Sequence, residues 1–557
     1  MVKRLRHSQK KENLRLKVDN LNLTDAREDQ DLATVLAKRV EHCPDKHWIV
    51  TEQRGYSYRE MNNRSGQLAN GFVDLGIQCG ETVLIMLPDT VDFILTWCAL
   101  AKFGAIEVPV NVHNRGNPLS YLMNDSLSKS IILDVQFVER IEAISAGLEH
   151  LERVILYAQD GHYPPEKITS LARQFEICRF EDLFSDTPYC GPSPGYHDLM
   201  GVLYTSGTTG PSKGVTMTHA HAYEYAYGVT EMLALRENDI YCAPLPLFHI
   251  AGLFATIYCS CIAGATAVIS GTFSVERFWK DVSTYNVTCT FLLGAMANFL
   301  YRQPAKSTDP DNSLDRVLMV PLIPEVEDFK SRFDCRVSTT WGGTEMNCPT
   351  RSGFTLANNK TCGRVAEDRY EVRIVDALDQ EVEDGMPGEA LVRSKVPWIL
   401  TNGYWNHPDW TEKAWRNLWL HTGDMLMRDG DGNLYFVDRT KDAIRRRGEN
   451  ISSMEVEFEI NSYSPVFECA VIPLDSEETE QEVMAVVVAK EGEAIEPESL
   501  IRYLEPRMAY FMIPRYIDVI EMMPKTPTGK IMKFKLRERG LTSSTWDRVK
   551  AGVKLKR

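Results

Sequence analysis

No pair of cysteines in this chain has the spacing of a redox or zinc motif. There are thirteen cysteines and no C-x-x-C; Cys259 and Cys261 stand closest together. An odd count with that spacing excludes a disulfide framework and a zinc ribbon, and it reads as reduced, mostly buried thiols in a cytoplasmic protein. Long apolar runs are missing as well. A membrane span needs about 18 uncharged apolar residues, and the run from Val83 is cut by Asp89 and Asp92. The N-terminal MVKRLRHSQKKENLRLK is basic with no apolar stretch behind it, so it is neither a signal peptide nor an anchor. Positive charge is not in excess either. Against 77 Asp+Glu stand 62 Lys+Arg, a net −15, which argues against nucleic acid as a nonspecific partner.

What is present is globular. Hydrophobic residues make up 44% and charged residues 25% of 557, more chain than one compact domain holds at roughly 100–200 residues each. Residues 1–30 read as a polar extension. From about residue 48, short apolar runs alternate with helix-length segments: TVLIML from Thr82, a helix from Val91 to Lys102, IEVPVNV from Ile106, SIILD from Ser130 and RVILYA from Arg153. Continuous apolar runs suit strands buried on both faces, and the alternation predicts a large, layered α/β domain with mostly parallel sheets over 31–437. Residues 438–557 have their own strand (Ala485–Ala489) and amphipathic helix (Glu498–Met508), and are expected to form a small mobile α+β domain. Just ahead of them, MRDGDGNLYFV predicts a hairpin.

Two strings suggest chemistry. Gly191-Pro-Ser-Pro-Gly195 matches G-x-S-x-G in form, but a nucleophile elbow needs a strand entering the serine and a helix leaving it. Prolines on both sides of Ser193 forbid that, and the segment is expected to be a linker. The other is Tyr204-Thr-Ser-Gly-Thr-Thr-Gly-Pro-Ser-Lys-Gly214, after an apolar strand and before a helix from about His219. Interleaved hydroxyls and glycines can present N–H and O–H donors to phosphate oxygens, and Lys213 adds a point charge. The glycine spacing is not that of a Walker A loop.

That string resembles the signature phosphate loop of the adenylate-forming superfamily, which includes acyl-CoA synthetases, nonribosomal adenylation domains and firefly-type luciferases. Further strings follow in that family's order: Trp341-Gly-Gly-Thr-Glu345, Leu420-His-Thr-Gly-Asp424, Asp438-Arg-Thr-Lys-Asp442 leading to Arg447-Gly-Glu-Asn450, and Pro524-Lys-Thr-Pro-Thr-Gly-Lys530. The hinge text YFVDRTKDAIRRRGENIS looks most like the carnitine/crotonobetaine–CoA ligase branch.

The resemblance implies ATP, Mg²⁺ and CoA as reactants and cofactor, with a small carboxylic acid as substrate. It places Thr205, Ser206, Gly207, Thr208, Thr209, Gly210 and Lys213 on the phosphates. Trp341, where the family usually has Tyr, falls on adenine with Gly342, Gly343 and Thr344 around it. Asp424 and Arg439 fall on ribose. Glu345 would hold Mg²⁺, with the Thr205 hydroxyl as a direct or indirect ligand. Lys530 would bridge carboxylate and nucleotide, and Lys441 would be the hinge. Arg447, Gly448 and Glu449 would meet CoA, with Arg445 and Arg446 as weaker candidates. His249 resembles a gate beside the acyl site, although a buried, hydrogen-bonded histidine fits equally well. Met319-Val-Pro321 stands where relatives often have Gly-Gly-Ala, implying a shorter or differently shaped acid than a long fatty chain.

The expected reaction makes acyl-AMP and then acyl-CoA. The alternatives are an adenylating ligase that passes the acyl group to an amine or carrier protein, and a nucleotide-binding pseudoenzyme. The acid and the oligomeric state stay open, a homodimer being one candidate.

Overall fold

The computed structural model describes residues 25–205, 212–439, 444–446, 449–451, 453–476, 481–508, 510–525 and 530–555. They divide into two units: 25–205, 212–371 and 393–417 in the first, and 372–392 with 418–555 in the second.

The first unit begins with the expected alternation. Strand β1 (Thr82–Met86) is buried along its whole length. Helix α1 (Val91–Phe103) starts where the Thr90 hydroxyl accepts from the Phe93 N–H, and it stops at Gly104 with φ 79°. Then come β2 (Ile106–Pro109), β3 (Ser130–Asp134), β4 (Arg153–Tyr157), β5 (Glu176–Arg179), β6 (Leu199–Thr205) and β7 (Lys213–Thr218). The sheet order is β5-β4-β3-β1-β2-β6-β7. Every neighbouring pair is parallel except β6 and β7. In sequence, the Ser/Thr/Gly string falls between the two strands of that closing hairpin.

A second seven-stranded sheet runs Arg336–Ser338, Arg316–Val320, Cys289–Leu293, Ile240–Cys242, Thr266–Val268, His47–Val50, Gly55–Ser57, and only its last pair is antiparallel. One core joins Val83 and Ile85 of the first sheet, Cys289 and Leu318 of the second, and the helical residues Phe93, Trp97, Tyr223 and Phe254. The mixed, mostly parallel α/β class expected from the sequence is what is observed.

In the second unit, β8 (Leu420–Arg428) and β9 (Asn433–Arg439) form the expected hairpin. The Asp429 carboxylate closes its turn by accepting from the Asp431 and Asn433 N–H groups. A four-stranded sheet follows, ordered Val466–Asp475, Gln481–Ala489, Tyr516–Val519, Trp546–Asp547. Val471, Val483 and Ile517 pack with Val456 and Leu500 from the helices Ser453–Asn461 and Pro497–Leu504. This is the smaller C-terminal α+β part.

Gly191–Gly195 is irregular chain, with neither a strand into Ser193 nor a helix out of it, as the prolines require. The chain is already docked at Asp25, inside the expected polar extension. The Asp25 carboxylate pairs with the buried Arg39 at 2.9 Å and accepts from the Tyr223 hydroxyl at 3.2 Å. A buried guanidinium requires such a counter-charge. All thirteen cysteines are free thiols, Cys79 and Cys190 being the exposed ones. Among the described residues no helix is long and apolar enough to cross a membrane.

Candidate active site

The site begins where β6 ends. Thr205 pairs in register with Lys213, and its hydroxyl lies 3.5 Å from the Lys213 carbonyl. Ser206, Gly207, Thr208, Thr209 and Gly210 lie outside the described residues. The hairpin thus brings both ends of the loop, a hydroxyl and an ammonium, to one sheet edge.

A second loop carries Trp341 to Glu345. Gly343 and Asn347 pair across its turn, the Gly343 N–H donating to the Asn347 carbonyl at 2.9 Å. A Cβ on Gly342 would lie 2.0 Å from that carbonyl oxygen, so this close approach needs glycine. Trp341 is buried and its N–H donates to the Thr350 hydroxyl at 2.7 Å. Thr344 is buried and Glu345 half-buried.

Chain 399–405 ties this loop to β7. The Thr401 N–H donates to the Glu345 carbonyl at 2.9 Å and the Thr401 hydroxyl to the Thr216 carbonyl at 3.0 Å. The Trp405 N–H donates to the Gly214 carbonyl at 2.7 Å. Tyr404 completes the link, its hydroxyl 3.0 Å from Glu345 Oε1 and its ring 4.6 Å below Lys213 Nζ. Thr205, Lys213, Trp341, Gly342, Gly343, Thr344 and Glu345 therefore form one constellation. Sequence reading missed Tyr404, which lies in the string NGYWNHPDW.

Behind the turn, Asn347 sits at φ 62° and donates from Nδ2 to the Ile399 carbonyl at 2.5 Å. His221, fully buried on α2 (His219–Met232), lies near Thr344 and Asn347, and burial pushes its imidazole down to about 3. His249 caps the short helix Ile250–Gly252, its Nδ1 accepting from the Ala251 N–H at 3.2 Å. That bond puts a neutral ring's proton on Nε2. The helix continues as a buried π-helical stretch, Leu253–Tyr258, a form frequent at functional sites.

In the second unit, Asp424 and Arg439 are register partners on β8 and β9. The buried Asp424 Oδ1 lies 3.0 Å from Arg439 Nε, and the Arg439 side chain is half exposed. Lys530 is exposed, just before a bridge between Ile531 and Lys525 that closes its loop. Lys441, Arg447 and Gly448 fall outside the described residues; Glu449 lies on the short strand Glu449–Ile451, opposite Arg446. Arg446, the weaker candidate, is buried, pairs with Glu482 at 2.7 Å and donates to the Phe511 carbonyl.

Comparison with known proteins decides the family. The model of the AMP-binding enzyme family matches residues 36–405, and that of the AMP-binding enzyme C-terminal domain matches 455–530. The chain belongs to the AMP-binding enzyme family. It is 31% identical over 522 residues to a crotonobetaine/carnitine–CoA ligase of Shigella dysenteriae, covering 91% of this chain and 97% of that one. A Salmonella agona protein of the same name is 30% identical over 496 residues, 87% and 93% of the two chains. Among solved structures, ATP-bound MatB from Rhodopseudomonas palustris superposes with a TM-score of 0.81 at 23% identity, covering 92% of this chain and 99% of that one. An anthranilate CoA ligase, AuaEII, in complex with anthranoyl-AMP, does so at 0.82 and 23%, covering 93% and 99%. At that identity the structural likeness speaks for the fold alone.

Proposed function

We infer that this protein is an AMP-forming acid–CoA ligase. The observation that carries the inference is the near full-length match to CoA ligases of this family, through the AMP-binding part and its C-terminal domain in order. A carboxylate oxygen attacks the α-phosphorus of ATP and pyrophosphate leaves. The CoA thiolate then attacks the acyl carbon and AMP leaves. The first step needs positioning and charge stabilisation on phosphate more than acid–base chemistry.

We assign the residue roles by the order of the motifs, and the geometry of the described residues supports the assignment. The hairpin loop from Thr205 to Lys213 holds the β- and γ-phosphates. Trp341 offers an aromatic face to adenine, with Gly342, Gly343 and Thr344 shaping the turn. The Asp424 carboxylate accepts the ribose hydroxyls, and Arg439, already paired with it, reaches ribose and phosphate. Lys530 bridges the acid and the nucleotide. Lys441 is the hinge that exchanges the two half-reactions, and Arg447, Gly448 and Glu449 line the CoA path. His249 borders the acyl site while capping its helix.

Mg²⁺ fits this donor set. Such an ion is generally bound through one or two carboxylates plus substrate phosphates rather than by an all-protein cage. Glu345 supplies a carboxylate that accepts from Tyr404, and Thr205 would add a hydroxyl oxygen; among the described residues there is no group of three acidic, His or Cys ligands. When bound, the ion would neutralise charge developing on the phosphates. The free thiols support a cytoplasmic location.

The experiment is ATP–pyrophosphate exchange over a panel of acids that begins with crotonobetaine and carnitine, followed by AMP release with and without CoA. Acid-dependent exchange with CoA-dependent AMP release is expected. Exchange without CoA dependence would point to an amine or carrier-protein acceptor.

A further inference from the structure

The Lys213 ammonium and the Glu345 carboxylate are expected to meet the nucleotide from two different loops, 132 positions apart in the chain (345 less 213). One side chain touches both. Tyr404 presents its ring face to Lys213 Nζ at 4.6 Å and its hydroxyl to Glu345 Oε1 at 3.0 Å. Trp410 offers Lys213 a second ring at 5.9 Å.

Tyr404 is itself held in place. Its N–H donates to the Thr411 hydroxyl at 2.9 Å, and it forms an antiparallel bridge with Val215 on β7. The Thr216 N–H donates to the Gly403 carbonyl beside it. Facing a carboxylate oxygen, the Tyr404 hydroxyl is the donor of that bond. A donor on one carboxylate oxygen sets the plane of the carboxylate, and a ring under an ammonium limits where the charge can swing.

We propose that Tyr404 is a positioning residue that sets the metal-binding carboxylate through its hydroxyl and the phosphate-binding ammonium through its ring. The inference rests on the ligase reading above and adds a part to it. Its two halves act on different ligands and can be separated. Tyr404→Phe keeps the ring and removes the hydroxyl; Tyr404→Leu removes both.

The test is calorimetric binding of ATP to the full-length protein, with Mg²⁺ and with EDTA, and no acid present. Tyr404→Phe should weaken MgATP binding about tenfold, the scale of one hydrogen bond to a charged group, while leaving metal-free ATP binding near wild type. Tyr404→Leu should weaken both. In exchange assays the Phe variant should need about tenfold more Mg²⁺ for half-maximal rate. A Phe variant with wild-type Mg²⁺ dependence, or equal losses by both variants in both conditions, would overturn the proposal. Thermal melts without nucleotide show whether each variant is folded. A wild type that exchanges with no acid would count against the ligase reading, and the binding comparison would still decide the role of Tyr404.

Discussion

Lys530 is exposed, next to the Lys525–Ile531 bridge. The role proposed for it is chemical, and the two half-reactions test it separately. Lys530→Ala should reduce adenylation by at least about 100-fold, the usual scale for a group that stabilises developing charge. It should leave thiolysis of supplied acyl-AMP nearly intact. Equal loss of both steps in single-turnover measurements would remove Lys530 from the adenylation site. Residues of this kind are candidates from the sequence because they sit in ordered strings. Tyr404 was not, since its two partners are far away in the chain, Glu345 by 59 positions. The burial of Arg446 was not legible for a related reason: a run of three arginines does not say which one packs inward, and the pair with Glu482 appears only in the structure.

At the level of elements, the Trp341–Asn347 turn is held from behind. Asn347 tolerates φ 62° as few side chains do, and its amide donates to the Ile399 carbonyl. Asn347→Ala loses the bond and strains the backbone, so it should cost about 2–3 kcal/mol in chemical denaturation. His221 gives the same region a pH signature. Its folded-state pKa, about 3, lies below its ordinary value. The stability it contributes is therefore complete above about pH 6.5 and is lost as pH falls from about 6.5 through 3. Between pH 6.5 and 5 this one group should cost about 2 kcal/mol, and His221→Gln should make that acid slope shallower by about one proton. An unchanged slope would show that His221 is not held neutral. The central strands were readable because parallel strands buried on both faces have no polar phase to disguise them: Ser130–Asp134 falls where the apolar run does. The π-helical stretch Leu253–Tyr258 was not readable, as a shift in hydrogen-bond register leaves no mark on composition.

At the scale of the whole molecule, a chain with net charge −15 is assigned two polyanionic reactants. In the proposed site, local chemistry outweighs the global sign: one loop ending in Lys213, one carboxylate proposed to hold a divalent cation, and an Asp424–Arg439 pair on adjacent strands. Net charge bears on nonspecific partners, and placed groups decide specific ones. The size of the chain follows from the chemistry too, because forming a mixed anhydride and then cleaving it with a thiol makes different demands on one carbonyl. A large nucleotide-binding part with a smaller C-terminal domain suits that division. The most direct test of this account is to incubate the wild-type protein with ATP, Mg²⁺ and an acid that supports pyrophosphate exchange, and to follow AMP with and without CoA. AMP and acyl-CoA are expected in equal amounts, with sustained turnover only when CoA is present. Turnover indifferent to CoA, or ADP in place of AMP, would contradict it.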